Sequence, residues 1–168
     1  MKRTLYIIRH AEAEDQQSGQ NDFSRMLTPK GINQCLHTTD KLNAKFISID
    51  KLISSDAMRT SQTAKLLARF LYIDEAKLSF DNNIYQASAN MLLNLISNLS
   101  NEWHSVMIVG HNPGVSALVQ HLTNCSNSFS TCSVACIEFD SLSWSRISTT
   151  KGKLTFFISP EEAEEEEE

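Results

Sequence analysis

The feature that most constrains this chain is the apolar run Leu5-Tyr6-Ile7-Ile8, which stops abruptly at Arg9-His10-Ala11-Glu12. A short apolar run rich in β-formers and bounded by polar sequence reads as a buried strand. The charged pair then falls at the strand's carboxyl end, the edge of an open α/β sheet where ligands bind. One member is a fixed cation; the other is a nucleophile or an acid–base. Val106-Met107-Ile108-Val109 repeats the arrangement, ending at Gly110-His111-Asn112-Pro113-Gly114 with a helix-compatible stretch, Val115 to Leu122, behind it.

The rest of the chain alternates in kind. Leu27-Thr28-Pro29-Lys30-Gly31 opens a helix, with Thr28 as N-cap and Pro29 in the first helical position. Ile32, Leu36, Thr39 and Leu42 give it an apolar-leaning face that Cys35 can join. Ile49 to Ile53 is a second strand. A second helix follows from Ala57 to Phe70, capped by Ser55 or Asp56, with Ala64, Leu67, Ala68 and Leu71 facing inward. A strand near Lys77 to Phe80 precedes Ile84-Tyr85-Gln86-Ala87, and Ser88 caps a third helix running through Leu99. After a linker rich in Ser, Asn and Cys, Val134 to Phe139 alternates like a strand with one solvent face, and Leu154 to Ile158 supplies the last strand. Strands alternating with helices, closed by a pair of strands, predict an α/β fold. It has three layers, helix/sheet/helix, about a mainly parallel open sheet. Residues 1–160 form one domain, and 161–168 an acidic tail expected to be disordered.

Composition narrows the function classes. A chain of 168 residues can bury a substantial core as one domain. No apolar run approaches the roughly 18 residues of a membrane span, and Leu5 to Ile8 is too short for a signal-peptide core, so a cytoplasmic protein without membrane association is expected. The formal charge of −5 comes from the end of the chain: seven of the last eight residues are Glu, and without them the balance is +2. The body therefore does not oppose an anionic ligand, but it lacks the basic stripe of a nucleic-acid binder. Cys35, Cys125, Cys132 and Cys136 read as reduced packing thiols. His121 with the last three lacks the C-x2-C knuckle of a zinc site.

Three strand ends thus deliver Arg9 with His10, Arg59, and His111 to one sheet edge. Hard cations want carboxylates, and zinc wants three or four ligands, so no metal or other cofactor is expected. The same groups suit a tetrahedral dianion, because guanidinium forks bind phosphate oxygens and imidazoles donate or attack. Arg59 lies in the first turn of its helix, against the macrodipole. Either it joins the backbone N–H groups in holding an anion, or it is a surface arginine paired with Asp56. G-x-x-x-x-G-K-[ST], G-x-G-x-x-G and G-x-S-x-G do not occur, which leaves ATP-driven and serine-hydrolase chemistry unsupported.

Arg9-His10-Ala11, Ser54-Ser55-x-x-x-Arg59-x-x-Gln62-Thr63-Ala64 and Gly110-His111-Asn112-Pro113-Gly114 together resemble the histidine phosphatase superfamily, with its phosphoglycerate-mutase-like fold. Asp22-x-x-Arg25-x-Leu27-Thr28-Pro29-Lys30-Gly31, Tyr85-x-Ala87-Ser88 and Gly152-Lys153-Leu154 with Pro160 are similar to its small SixA-type phosphohistidine phosphatases. The resemblance implies a minimal member without large insertions. It implies His10 as the nucleophile of a transient phosphohistidine, with Arg9, Arg59 and His111 clamping the phosphoryl oxygens. Such chemistry is mostly positioning and electrostatics, and covalent catalysis splits one displacement into two.

Ala11, Met26 and Asp56 depart from the family where glycine, proline and proline are frequent. Larger members supply a carboxylic acid near the region that here reads Ile84-Tyr85-Gln86, where this chain has none. Glu12 and Asp22, with Asp15, are the candidate proton donors on the first loop. A missing acid matters least for a labile P–N bond. The expectation is therefore a metal-independent phosphatase acting on phosphohistidine of a partner protein, such as a histidine-phosphotransfer-like domain. A phosphomonoesterase acting on a small phosphate ester and a non-catalytic phosphate-binding module are the alternatives. A monomer is the expected oligomeric state.

Overall fold

The structure is a computed structural model that describes residues 2–160; the acidic segment 161–168 lies outside the described residues. Six strands, β1 (Lys2–Arg9), β2 (Lys51–Ser54), β3 (Leu78–Phe80), β4 (Ser105–Gly110), β5 (Val134–Asp140) and β6 (Lys153–Ile158), form one sheet in the order β3-β2-β4-β1-β5-β6. The four strands from β3 to β1 run parallel, β5 runs antiparallel to β1, and β6 runs antiparallel to β5 and so points the same way as the first four. The helices are α1 (Pro29–Asn43), α2 (Met58–Phe70), α3 (Ala89–Ser97) and α4 (Gly114–Thr123).

Strand alternation sorts the core into two halves. Leu5, Ile7, Val106 and Ile108 point to the face covered by α3 and α4, where they meet Leu92, Ile96, Val115 and Leu118. Tyr6, Ile8, Met107 and Val109 point to the other face and meet Leu42, Ala64 and Leu67 from α1 and α2. Both faces are buried, giving the expected three-layer α/β architecture around a mainly parallel sheet. Among the described residues no helix is long and apolar enough to cross a membrane.

Local chemistry fixes the helix starts. The Thr28 hydroxyl accepts the Gly31 N–H at 3.0 Å, and Ser88 accepts the Met91 N–H at 3.2 Å. α2 has no side-chain cap, contrary to expectation: Ala57 occupies the N-cap position, and Ser55, two residues before it, accepts the Ala57 N–H instead. The inward face of α1 also differs. Gly31, Gln34, Cys35, Thr38, Thr39 and Leu42 are buried, while Ile32 is 43% exposed and Leu36 37%. Apolarity misleads there because Gln34 and Thr38 reach polar partners in neighbouring loops, Thr131 and Cys132. β5 has no solvent face, since β1 and β6 flank it and its alternate residues feed both cores. Residues 82–84 form a short 3-10 turn leading into Tyr85.

Candidate active site

The parallel register places Arg9 opposite Gly110, so the residues that follow, His10 and His111, leave the sheet side by side. Their ring centroids are 5.4 Å apart. β2 ends level with them: Ser54 pairs with Val109, and the Ser55 N–H reaches the Val109 carbonyl at 3.1 Å. The chain then turns into α2, whose first turn carries Arg59. Two motif residues one turn further on brace the loop that follows His10. Thr63 accepts the Ala11 N–H at 3.0 Å, and Gln62 accepts the Leu27 N–H at 2.8 Å. Gly31 allows the same loop to pass closely, since a Cβ there would overlap the Glu12 carbonyl oxygen.

His10 is nearly buried, and its Nδ1 lies 2.7 Å from the Ala11 carbonyl oxygen. A carbonyl can only accept, so Nδ1 carries the ring proton and Nε2 keeps its lone pair. Burial, reinforced by His111, Arg59 and Arg9, holds the imidazole's pKa down to about 3, against the opposing pull of the Ala11 hydrogen bond. His111 is held down to about 4, chiefly by burial and then by Arg59. Both rings are neutral at pH 7.

The arginines are pinned by one edge and free on another. Arg9 donates from Nη1 to the Phe129 carbonyl at 2.8 Å, while the Cys132 N–H bridges the Arg9 and His10 carbonyls at 3.1 and 3.0 Å. Arg59, 5% exposed, donates from Nη1 to the Asp22 carbonyl at 2.9 Å and from Nη2 to the Asp22 carboxylate at 3.1 Å. It is not a surface residue paired with Asp56, whose carboxylate takes Asn82. The Nε of Arg9, the Nε of Arg59 and Nδ1 of His111 are all buried without a hydrogen-bond partner. Such buried polar atoms are costly and call for a partner. Arg3 also has an unpartnered Nε, but it lies at the far end of β1, and its guanidinium is spent on the carbonyls of Asn101, Trp103 and Leu142. What sets the His10 end apart is that three such nitrogens belong to the groups whose charge or ring bears on one imidazole.

Of the carboxylates expected on the first loop, Asp22 alone joins this group. Its carboxylate receives Arg59, Arg25 at 3.0 Å and the Tyr85 hydroxyl at 2.6 Å. The Tyr85 hydrogen bond, ahead of the two arginines, holds it below the usual carboxylate range. Glu12 accepts the Thr28 hydroxyl at 2.7 Å at the start of α1, and Asp15 is exposed on the loop. Tyr85 packs edge-on to both His111 and Phe23. Beside His111 a cleft of about 580 Å³ runs past Asp22 and Arg59 between the first turns of α3 and α4, lined by Gln86 to Ala89, Asn112 to Gly114, and Ala117. Gly114 brings α4 against the Ala87 carbonyl, which a Cβ would overlap. The four cysteines are free thiols, and no cluster of metal-ligating residues occurs among the described residues.

Residues 5–79 match the model of the histidine phosphatase superfamily (branch 1). A crystal structure named for phosphohistidine phosphatase SixA of Agrobacterium tumefaciens superposes with a TM-score of 0.80 at 27% identity, over 94% of this chain and 98% of that one. Over residues 5–79, which hold Arg9, His10 and Arg59, this chain is similar to the histidine phosphatase superfamily. The tungstate complex of the protein histidine phosphatase SixA shares the fold at a TM-score of 0.79 and 21% identity, over 94% of this chain and 97% of that one. An uncharacterised chloroplastic protein of Arabidopsis thaliana is 26% identical over 96% of this chain and 79% of its own length. Relatives that match about half of this chain are named as a probable phosphoglycerate mutase and as a serine/threonine-protein phosphatase, so the likeness does not choose the substrate.

Proposed function

We propose that this chain is a metal-independent phosphatase that removes phosphate from phosphohistidine on a partner protein. The observation that carries the reading is the set of three buried, unpartnered side-chain nitrogens, on Arg9, Arg59 and His111, beside a His10 whose Nε2 keeps its lone pair. A phosphoryl dianion answers all three at once. Asp22 holds the end-on edge of Arg59, so its Nε and the remaining Nη2 hydrogen are left for phosphate oxygens.

His10 Nε2 attacks phosphorus and the P–N bond to the substrate breaks, the substrate imidazole leaving neutral because its other ring nitrogen already carries a proton, and the phosphoryl group rests on His10. Arg9, Arg59 and His111 neutralise its oxygens through both transfers. Water then displaces His10 and inorganic phosphate leaves. Asp22, held ionised by three donors, takes the proton of that water; its resting state is that of a base, not an acid. A site without a resting acid favours a leaving group that departs easily, as the imidazole of phosphohistidine does. The cleft supports this: among the described residues lining it, Asp22 and Arg59 alone are charged, so a metabolite's second anionic group would find no further cation there.

Rapid quench with a phosphohistidine-bearing protein domain and an aryl phosphate in parallel tests the proposal. Label trapped on His10, with faster turnover of the phosphohistidine substrate and none in His10→Ala, is the expected result. Label with preference for the aryl ester moves the substrate to small phosphate esters. Phosphate binding without label or turnover leaves a binding module and overturns the reading.

A further inference from the structure

Ser55 is completely buried at the turn between β2 and α2. Its carbonyl receives the hydroxyls of Ser54 at 2.8 Å and Thr60 at 2.9 Å, which hold the residue still. Its own hydroxyl oxygen accepts the Ala57 N–H at 3.3 Å and lies 2.8 Å from Nε2 of His111. A neutral imidazole has one proton for two nitrogens, and the partner of one nitrogen decides what the other can do. His111 has Ser55 on one edge and a buried, unpartnered Nδ1 on the other. If Nε2 carried the proton, Nδ1 would present a lone pair to the oxygens of the anion that the guanidiniums hold, and would repel it instead of binding it.

We infer that Ser55 is the positioning residue for His111: its hydroxyl donates to Nε2, places the ring proton on Nδ1, and so makes His111 a donor to the transferring phosphoryl group. The Ala57 N–H on the Ser55 oxygen leaves the hydroxyl hydrogen free to take this direction. Both histidines then carry their proton on Nδ1 and differ in which edge they present. His10 offers a bare Nε2 for attack, and His111 offers an N–H for binding. The inference rests on the phosphoryl-binding reading above and adds the group that sets the donor.

The test uses the full chain labelled with 15N-histidine, with Ser55→Ala and Ser55→Thr beside the parent and orthovanadate as the anion. In the parent, His111 should show its proton on Nδ1, before and after vanadate binds. In Ser55→Ala the Nε2–H form should become populated, and vanadate affinity should fall by roughly 10-fold, the scale of one charge-assisted hydrogen bond. Ser55→Thr, which restores the hydroxyl, should recover both. A parent His111 protonated on Nε2, or a Ser55→Ala variant with unchanged tautomer and vanadate affinity, overturns the inference. Neither readout needs turnover, so a parent that forms no phosphoenzyme refutes the phosphatase reading while leaving this question decided.

Discussion

Mild acid should destabilise this protein through two residues. His10 and His111 are kept neutral in the fold, at about 3 and about 4, whereas an unfolded chain returns them to about 6.5. Below pH 6.5 the unfolded state therefore binds protons that the folded state refuses, and stability falls as the pH falls. At pH 5 both folded values still lie below the working pH. The loss there depends on the 1.5 units separating pH 5 from the unfolded value, and barely on how far each ring is depressed. At about 1.36 kcal/mol per unit this is about 2 kcal/mol per ring, or about 4 kcal/mol together, a large share of the ~5–15 kcal/mol that holds a typical domain. Asp22, held low, adds its own loss only further down as the pH falls through its folded value.

Urea unfolding at pH 7 and pH 5 in phosphate-free buffer measures the effect in the parent and in His10→Gln/His111→Gln. The variant removes both imidazoles and keeps every other titration, so the difference between the two pH dependences is the quantity read. The parent should lose about 4 kcal/mol more than the variant over that interval. Equal losses would show that the rings are charged in the folded protein at pH 5, and the proposal of a neutral nucleophile would go with them.

Two site variants extend the reasoning. Arg59→Ala removes the side-on fork and should weaken vanadate binding by about 1.5–3 kcal/mol, read by titration; unchanged affinity would return Arg59 to a purely structural role beside Asp22. Asp22→Asn should accumulate labelled His10 while release of phosphate slows by roughly 10²-fold or more, the scale of a lost general base, whereas a matched loss of labelling would place Asp22 in the first transfer instead.

The strand-end histidines were legible because their signal is local. An apolar run that stops on Arg9-His10, or on Gly110-His111, carries its own strand and its own boundary. Parallel register then brings the two together without further information. The caps at Thr28 and Ser88 were legible for the same reason. What stayed hidden depends on contacts across long stretches of chain. Apolarity pointed α1 outward at Ile32 and Leu36, because no pattern of residue types says that Gln34 and Thr38 find buried partners at Thr131 and Cys132. β5 looked half-exposed from its alternation, because β6 and the second core layer arrive from elsewhere. Tyr85 and Ser55 stood in the motifs, but their work is a hydrogen bond to Asp22 in one case and to His111 in the other. The choice among Glu12, Asp15 and Asp22 likewise turned on Arg25, Arg59 and Tyr85 converging on a single carboxylate.

The groups proposed to hold a phosphoryl dianion are the ones the fold has reason to reject. Two imidazoles are desolvated below their ordinary values, and three buried nitrogens go without partners, each arrangement a cost to the folded state. Those costs are tolerable because rigid elements surround them: the parallel pair β1 and β4, the Cys132 amide on the Arg9 and His10 carbonyls, and the Thr63 and Gln62 braces. A bound dianion relieves the same costs by satisfying the donors and offsetting the guanidinium charge. Anything that binds the folded state alone stabilises it by mass action, so stability and recognition are here one property of one set of atoms. The anion fitting the site best should also be the one that raises the unfolding midpoint most. That links the acid sensitivity of the free protein to the ligand its geometry favours.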